Sequence, residues 1–141
     1  MAAILRVYGI MLLKGMGQTL LMTLLTLVIA TIIGMIFGLM NVGRNRILNL
    51  IGTVYVDAIR GVPLIVLAYF VFFGIPAGMQ GMGMRGFRLS ALQAGTIALS
   101  LNCGAYMAEI IRAGIESVDR GQMEASRSLG LSYGSSMALV V

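Results

Sequence analysis

The chain has 141 residues, of which 59% are hydrophobic and only 11% charged, whereas typical soluble domains contain about 25% charged residues, so a soluble fold is disfavoured. The absence of histidine excludes a His-dependent triad and a His-ligated metal site, and Lys14, the single lysine, is not part of a Gly-Lys-Ser/Thr phosphate loop. We therefore predict no catalytic residues, no metal and no cofactor, and an intramembrane enzyme that uses serine or aspartate is a disfavoured alternative. The net charge of +5, carried by residues that flank apolar segments, predicts no nucleic-acid binding.

The charged residues are clustered, and four stretches contain none: 15–43, 61–84, 89–108 and 128–141. A membrane-spanning helix needs about 20 apolar residues, so the first three stretches are long enough to cross a bilayer and the fourth is too short. We predict an all-α fold, a polytopic transmembrane helical bundle that forms a single domain. It contains three full spans, a short cytoplasmic helix and the start of a fourth span.

The first span, from about Gln18 to Met40, carries small and hydroxyl residues at steps of three or four, which places them on one helical face. Small residues allow two helices to approach closely in lipid, and threonine hydroxyls can bond across such a contact. We expect this face to pack against another helix, and a pathway-lining face is the alternative. Its members are Thr19, Thr23, Thr26, Ala30, Gly34 and Gly38.

The second span is preceded by the segment Arg60 to Pro63, which predicts a helix break because proline lacks a donor and restricts the residue before it. Leu64 to Ile75 alone is too short to cross a bilayer. The helix therefore either begins before Pro63 and is kinked there or continues beyond Pro76. We favour the kinked helix, and we expect a flexible loop from Gly74 to Arg88.

The third span, from about Leu89 to Ile111, carries polar residues on two inward-facing stripes. Isolated polar residues in a span usually bond neighbouring helices, but several on one stripe favour a wet surface. We identify candidates for lining a transport pathway, with helix packing as the alternative. They are Gln93, Thr96, Ser100, Asn102 and Cys103.

The acidic residues all fall outside the middle of the predicted spans, which argues against a proton relay at depth. Asp57 and Arg60 are spaced i to i+3, as are Glu109 and Arg112, so each pair can meet on one helix face. We identify these four residues as candidate gating ion pairs. Solvated pairs at helix ends, which contribute little stability, are the alternative.

The basic residues suggest an orientation. If the loop 41–60 and the stretch after residue 111 are cytoplasmic, that side holds six basic residues and the other side four. We therefore predict a multi-pass membrane protein with its N-terminus outside and residues 112–131 in the cytoplasm.

The segment Gly121 to Gly130, with Glu124 near its centre, predicts a short charged helix closed by a glycine that can adopt a left-handed turn. Such a helix suits a rigid projection into a cleft of a partner protein, with Glu124 available to an arginine. An ordinary polar loop helix is the alternative.

Glu124-Ala125-Ser126 followed after three residues by Gly130 resembles the Glu-Ala-Ala loop of ABC importer permeases, with Ser126 in place of the second alanine. Val140 occupies the aliphatic position that follows in this family, and the Leu-Pro expected next is not reached. The chain thus resembles such a permease truncated at its C-terminus, without the last spans.

Two upstream stretches narrow the resemblance to the polar amino-acid uptake branch, the histidine, glutamine and arginine type. Tyr55 to Leu64 is similar to the branch's Tyr-Val-Glu-x-x-Arg-Gly-Thr-Pro-Leu, with Asp57 for Glu and Val62 for Thr. Ala105 to Arg112 resembles the end of the branch's third helix, and Thr19-Leu20 resembles its opening. The likeness extends over almost the whole chain from about Gly15.

The resemblance implies a non-enzymatic permease subunit in the bacterial inner membrane that couples a partner ATPase to uptake of a polar amino acid. The implied partners are a cytoplasmic ABC ATPase, a second permease subunit in a homo- or heterodimer, an extracytoplasmic solute-binding protein, the amino-acid substrate and the lipid bilayer. The implied ATPase-coupling loop comprises Gly121, Gln122, Glu124, Ala125, Ser126 and Gly130.

A different class of protein also fits the composition. Glycine-rich apolar helices can associate by themselves, so the alternative is a small standalone membrane protein that self-associates as a channel or a structural element. It would assemble without an ATPase.

Overall fold

The computed structural model describes residues 2–43 and 45–140, with side chains from Tyr8 onward. Arg44 and the side chain of Arg6, both counted in the predicted orientation, lie outside this described part. Within it, every regular element is helical: α1 (Ala2–Val42), α2 (Arg46–Gly61), α3 (Leu64–Gly81), α4 (Ala91–Glu116), α5 (Arg120–Ser128) and α6 (Tyr133–Leu139).

Three helical segments are long and apolar enough to cross a membrane: Tyr8–Val42, Leu64–Gly81 and Ala91–Glu116. The predicted all-α bundle with three spans is therefore confirmed. The short helix α5 follows the third span, and α6 lies within the predicted start of a fourth.

The helix α2 is separate from the second span, because both of its ends are defined by local chemistry. At its start, the Asn45 side chain accepts hydrogen bonds from the backbone N–H groups of Ile47 (2.9 Å) and Leu48 (3.4 Å). At its end, Val62 has extended backbone angles (φ −101°, ψ 130°), as expected before a proline. The helix breaks here, so the favoured kinked span that begins before Pro63 is wrong.

The helix α3 continues through Pro76 to Gly81 by a local change of helical geometry. It is α-helical over Leu64–Tyr69, forms a π-helical turn over Phe70–Gly74, and returns to α-helix over Ile75–Gly81. Proline cannot donate a helical hydrogen bond, and its ring crowds the carbonyl four residues before it, so the wider turn accommodates Pro76. The predicted loop from Gly74 to Arg88 is therefore wrong for residues 74–81, which are helical.

The helix α4 begins with a reciprocal capping box. Ser90 Oγ accepts a hydrogen bond from the backbone N–H of Gln93 (3.3 Å), and the Gln93 side chain accepts one from the backbone N–H of Ser90 (2.9 Å). The two bonds satisfy donors that the first turn of a helix leaves unpaired. Gln93 therefore has a structural role, as part of the N-terminal cap of the third span.

The helices α1 and α4 run parallel and pack through small residues. A Cβ atom placed on Gly34 would lie 2.5 Å from Met107 Cβ, and one placed on Gly38 would lie 3.0 Å from the Ala108 carbonyl oxygen. The predicted packing face is thus confirmed for its second half, where Thr26, Ala30, Gly34 and Gly38 are buried, whereas Thr19 and Thr23 remain exposed.

The helix α3 packs on the other side of α4 through a small apolar cluster. Its buried members are Leu67 and Val71 of α3 with Ala94 and Ala98 of α4. The alanines let the bulkier side chains of α3 approach the α4 backbone, so α4 lies between two partners, with its small residues directed at both.

Candidate functional site

A polar cavity of about 320 Å³ lies where α1, α2 and α4 meet. Its charged members come from α2 and α4, and α1 contributes Asn41, which is buried. A charged cavity at the junction of three helices is a candidate functional site because partly exposed ion pairs that join helices can exchange partners at little cost in free energy. Its principal polar residues are Asn41, Thr53, Asp57, Arg60, Glu109 and Arg112.

Glu109 is the centre of the ion-pair network in this cavity. Arg112 Nε donates a hydrogen bond to Glu109 Oε2 (3.3 Å), and Arg112 Nη2 contacts the other carboxylate oxygen, so the pair is bidentate. Arg112 also pairs with Glu116 one turn further along α4. The contact that we predicted between Glu109 and Arg112 is present, and a gating role for it stays a prediction.

Arg60 contacts α4 instead of its neighbour on α2. Its Nη1 atom lies 3.7 Å from Glu109 Oε2, and its guanidinium carbon lies 5.2 Å from the centre of the Tyr106 ring. Within the described part of the chain, Asp57 forms no ion pair. The expected pair between Asp57 and Arg60 is therefore not formed in this structure, because Arg60 extends across the interface to Glu109.

Tyr55 joins all three helices at the same junction. Its ring stacks on Phe37 of α1 with a centroid separation of 4.0 Å, and its hydroxyl donates a hydrogen bond to the Leu101 carbonyl oxygen of α4 (2.8 Å). Burial raises the pKa of Tyr55 to about 12, so the hydroxyl keeps its proton. The sequence shows Tyr55 only as part of a motif, because a contact between helices that are far apart in the chain leaves no pattern of residue spacing.

The close contact between α1 and α2 depends on Gly52. A Cβ atom at this position would overlap the side-chain oxygen of Asn41, and the Asn49 side chain donates a hydrogen bond to the Asn41 carbonyl oxygen. These contacts attach the first half of α2 to α1. The C-terminal half of α2 contacts α4 through Tyr55 and Arg60, and the Tyr55 ring also contacts α1.

The pathway-lining candidates on α4 lie in different environments. Gln93 is exposed and caps the helix, Thr96 and Ser100 are buried, and Asn102 and Cys103 are partly buried. Ser100 lies one turn before Gly104, whose Cβ position would be 3.5 Å from the Ala30 carbonyl oxygen of α1. Ser100 thus lies near the packed α1–α4 face, and a pathway-lining role for all five residues stays a prediction.

The short helix α5 has well-defined ends. The Asp119 side chain accepts a hydrogen bond from the backbone N–H of Gly121 (2.6 Å), and Gly130 has the positive φ of +86° that closes the helix. A hydrogen bond from the Leu131 backbone N–H to the Ser126 carbonyl oxygen (3.2 Å) completes this turn. The left-handed glycine expected from the sequence is confirmed.

The candidate coupling residues divide into an exposed set and a structural set. Gly121, Gln122, Glu124 and Ala125 are exposed, whereas Ser126 is buried and its hydroxyl donates a hydrogen bond to the Met123 carbonyl oxygen (2.9 Å). A cavity of about 740 Å³ separates α5 and α6 from the ends of α1 and α4. The helix α5 therefore presents a polar outer face beside the third span.

Comparison with known proteins shows the family of this chain. Residues 30–141 match the model of the family described as "Binding-protein-dependent transport system inner membrane component". The chain belongs to this family. The match includes the charged cavity and α5, the two regions that the sequence motifs singled out.

Individual relatives agree with this assignment. The chain is 37% identical over 131 residues to the "Probable glutamine ABC transporter permease protein GlnM" of Bacillus subtilis (strain 168), covering 93% of this chain and 57% of that protein. It is also 37% identical over 125 residues to the arginine transport system permease protein ArtQ of the same organism, covering 89% and 54%. The chain thus spans about half the length of the curated relatives it matches.

A solved structure supports the same fold. The crystal structure of an amino acid ABC transporter with histidines matches this chain with a TM-score of 0.71 and 34% identity, covering 91% of this chain and 60% of the other. The resemblance to amino-acid ABC permeases found in the sequence is therefore confirmed.

Proposed function

We propose that this chain forms the membrane-spanning permease part of an ATP-driven importer for polar amino acids. The permease relatives named for glutamine and arginine support the substrate class. The observation that carries the proposal is α5, a capped helix whose exposed face includes Glu124 and which directly follows a span. Membership of a transport family disfavours the standalone self-associating protein.

In this proposal the chain performs no chemistry and transmits a conformational change. A cytoplasmic ABC ATPase would bind α5, a second permease subunit would complete the pathway, and an extracytoplasmic binding protein would deliver the amino acid. Nucleotide can shift a two-state permease only if the ATPase contacts the two states differently. The caps at Asp119 and Gly130 make α5 a rigid element for such a contact.

The charged cavity is the proposed gate of the pathway. The ion pair between Arg60 and Glu109 joins α2 to α4, and both helices lie beside the first span. Ion pairs are suited to a gate because exposed or partly exposed pairs contribute little net stability, so their exchange requires little free energy. Asp57, Arg60, Glu109 and Arg112 are the residues that we assign to this role.

Transport can be tested directly in sealed membrane vesicles. We expect ATP-dependent accumulation of labelled glutamine or arginine when the chain is present with the ABC ATPase and the binding protein of an amino-acid importer, and none when the chain is omitted. Entry of the amino acid that needs neither ATP nor the ATPase and stops when the concentrations on the two sides are equal would contradict the proposal and favour a self-associating channel.

The orientation of the chain can be tested by labelling single cysteines. In a Cys103→Ser background, we expect a membrane-impermeant maleimide to label Ser117→Cys only after the cells are permeabilised, because Ser117 follows α4 on the proposed cytoplasmic side. Met84→Cys, at an exposed position beyond α3, is the matched external control and should react in intact cells. Labelling of Ser117→Cys in intact cells would reverse the orientation.

A further inference from the structure

The helix α2 has an apolar face that no other helix of the described chain covers. The opposite face, which includes Gly52 and Val56, is buried against the bundle. A contiguous apolar surface of this kind needs a covering partner, because its exposure to water is unfavourable. Its members lie at steps of three and four residues, and the side chain of each is half or more exposed: Ile47, Leu50, Ile51 and Val54.

The packing of α1 on α4 locates the middle of the bilayer along both helices. Gly104 lies next to Ala30, and further along the same two helices Gly38 lies next to Ala108. Ala30 is close to the centre of the uncharged stretch 15–43, which is long enough to cross the hydrocarbon layer. The middle of the layer therefore lies close to Gly104 on α4.

The second half of α2 lies beside this middle region of α4. The Tyr55 hydroxyl donates its hydrogen bond (2.8 Å) to the carbonyl oxygen of Leu101, which is less than one helical turn from Gly104. Ile59 packs against the apolar cluster between α3 and α4. The break that follows at Val62 is thus near the middle of the layer, and α3 starts there.

The first half of α2 lies in the half of the bilayer nearer to α5. Gly52 contacts Asn41, which is near the end of the first span. The helix has 16 residues and is about 24 Å long, whereas half of a hydrocarbon layer is about 15 Å thick. From its end near the middle of the bilayer, α2 is therefore long enough to pass through this half of the layer.

We propose that the apolar face of α2 contacts the hydrocarbon tails of lipids in the half of the bilayer nearer to α5, so that α2 and α3 together complete the second crossing. Lipid is the occupant because exposed apolar residues of the first span, such as Ile36 and Leu39, lie at the same depth. A helix satisfies its own backbone hydrogen bonds, so hydrocarbon can surround it. The polar residues Thr53, Asp57 and Arg60 line the charged cavity instead.

This inference goes beyond the proposed function, because it concerns the depth of one helix in the membrane, and its test requires no transport. The chain contains no tryptophan, so a single introduced tryptophan is a clean reporter. Val54→Trp reports on α2, and Val28→Trp in the first span is the matched control, since the two valines are 58% and 60% exposed. Leu129→Trp, at an exposed position after α5, is the aqueous control.

The measurement is quenching of tryptophan fluorescence in the full chain, reconstituted into vesicles of lipids that are brominated midway along their tails. We expect the bromine to lower the fluorescence of Val54→Trp by a factor similar to that for Val28→Trp, and that of Leu129→Trp several-fold less. Leu50→Trp tests the same face independently of any folding defect in Val54→Trp. It should be quenched more strongly by bromine nearer to the head groups, because it lies one turn closer to the start of α2.

Two results would overturn the proposal. Quenching of Val54→Trp and Leu50→Trp by aqueous iodide, without quenching by the brominated tails, would place the face in water. Protection of both tryptophans from both quenchers would show that protein covers the face, either a second copy of the chain or another segment of it.

Discussion

Gly34→Val is expected to lower the melting temperature of the detergent-purified chain by about 5 °C or more, since overpacking a close contact costs roughly 1–3 kcal/mol. A Cβ atom alone would lie 2.5 Å from Met107 Cβ and 3.3 Å from the backbone N of Ala108. Because neighbouring backbone cannot move aside as a flexible side chain can, α1 and α4 must separate. Thermal unfolding monitored by helical circular dichroism measures the effect.

Gly17→Val is the matched control for this prediction. It makes the same substitution in the same helix, where a Cβ atom would meet nothing within 4 Å. Both variants gain the same higher helix propensity of valine over glycine, so the difference between their melting temperatures isolates the contact with α4. Equal melting temperatures for the two variants would show that the close contact at Gly34 does not stabilise the protein.

Glu124→Ala is expected to reduce co-purification of the partner ATPase, and ATP-driven uptake with it, by roughly tenfold or more, the usual scale for truncating one member of a charged interfacial pair. Glu124 is exposed on α5, and within the described part of the chain its carboxylate forms no ion pair. It is therefore free to bind an arginine of the ATPase. Pull-down of the ATPase with tagged permease gives the first readout.

The reduced co-purification measures ATPase binding only if Glu124→Ala leaves the folding of the permease unchanged. The melting temperature of Glu124→Ala should match that of the parent, because no internal contact of the carboxylate is removed. Asp119→Asn is the comparison variant, since it removes a carboxylate next to α5 while its side-chain oxygen can still cap Gly121. If Glu124→Ala retains as much ATPase as the parent protein, Glu124 does not contribute to ATPase binding.

The three spans and α5 could be predicted because their signals are local. Uncharged runs long enough to cross a bilayer occur only at the three spans. The length of a helix is proportional to its number of residues, so such runs can be recognised by counting. Similarly, Gly130 follows a short charged segment, and a left-handed residue is common at the end of such a helix. Each of these features depends on residues within a few positions of one another.

The second span was harder to predict, because two local rules competed there. Pro63 and Pro76 each can interrupt a helix, and the sequence does not say which of them the chain tolerates. The structure breaks at Val62 and continues through Pro76 by a π-helical turn. A turn of this kind widens the backbone without a characteristic residue pattern, so the sequence did not reveal it.

By itself, the sequence determined the class of the protein, the number of its spans, the short helix α5 and the family resemblance, since hydropathy, capping and motifs act over short distances. Only the tertiary structure decided that Arg60 contacts Glu109 instead of Asp57, and that Tyr55 joins α2 to both α1 and α4. The physical reason is that a long side chain at a helix interface can reach several partners. The packing of the helices against one another selects which partner it meets.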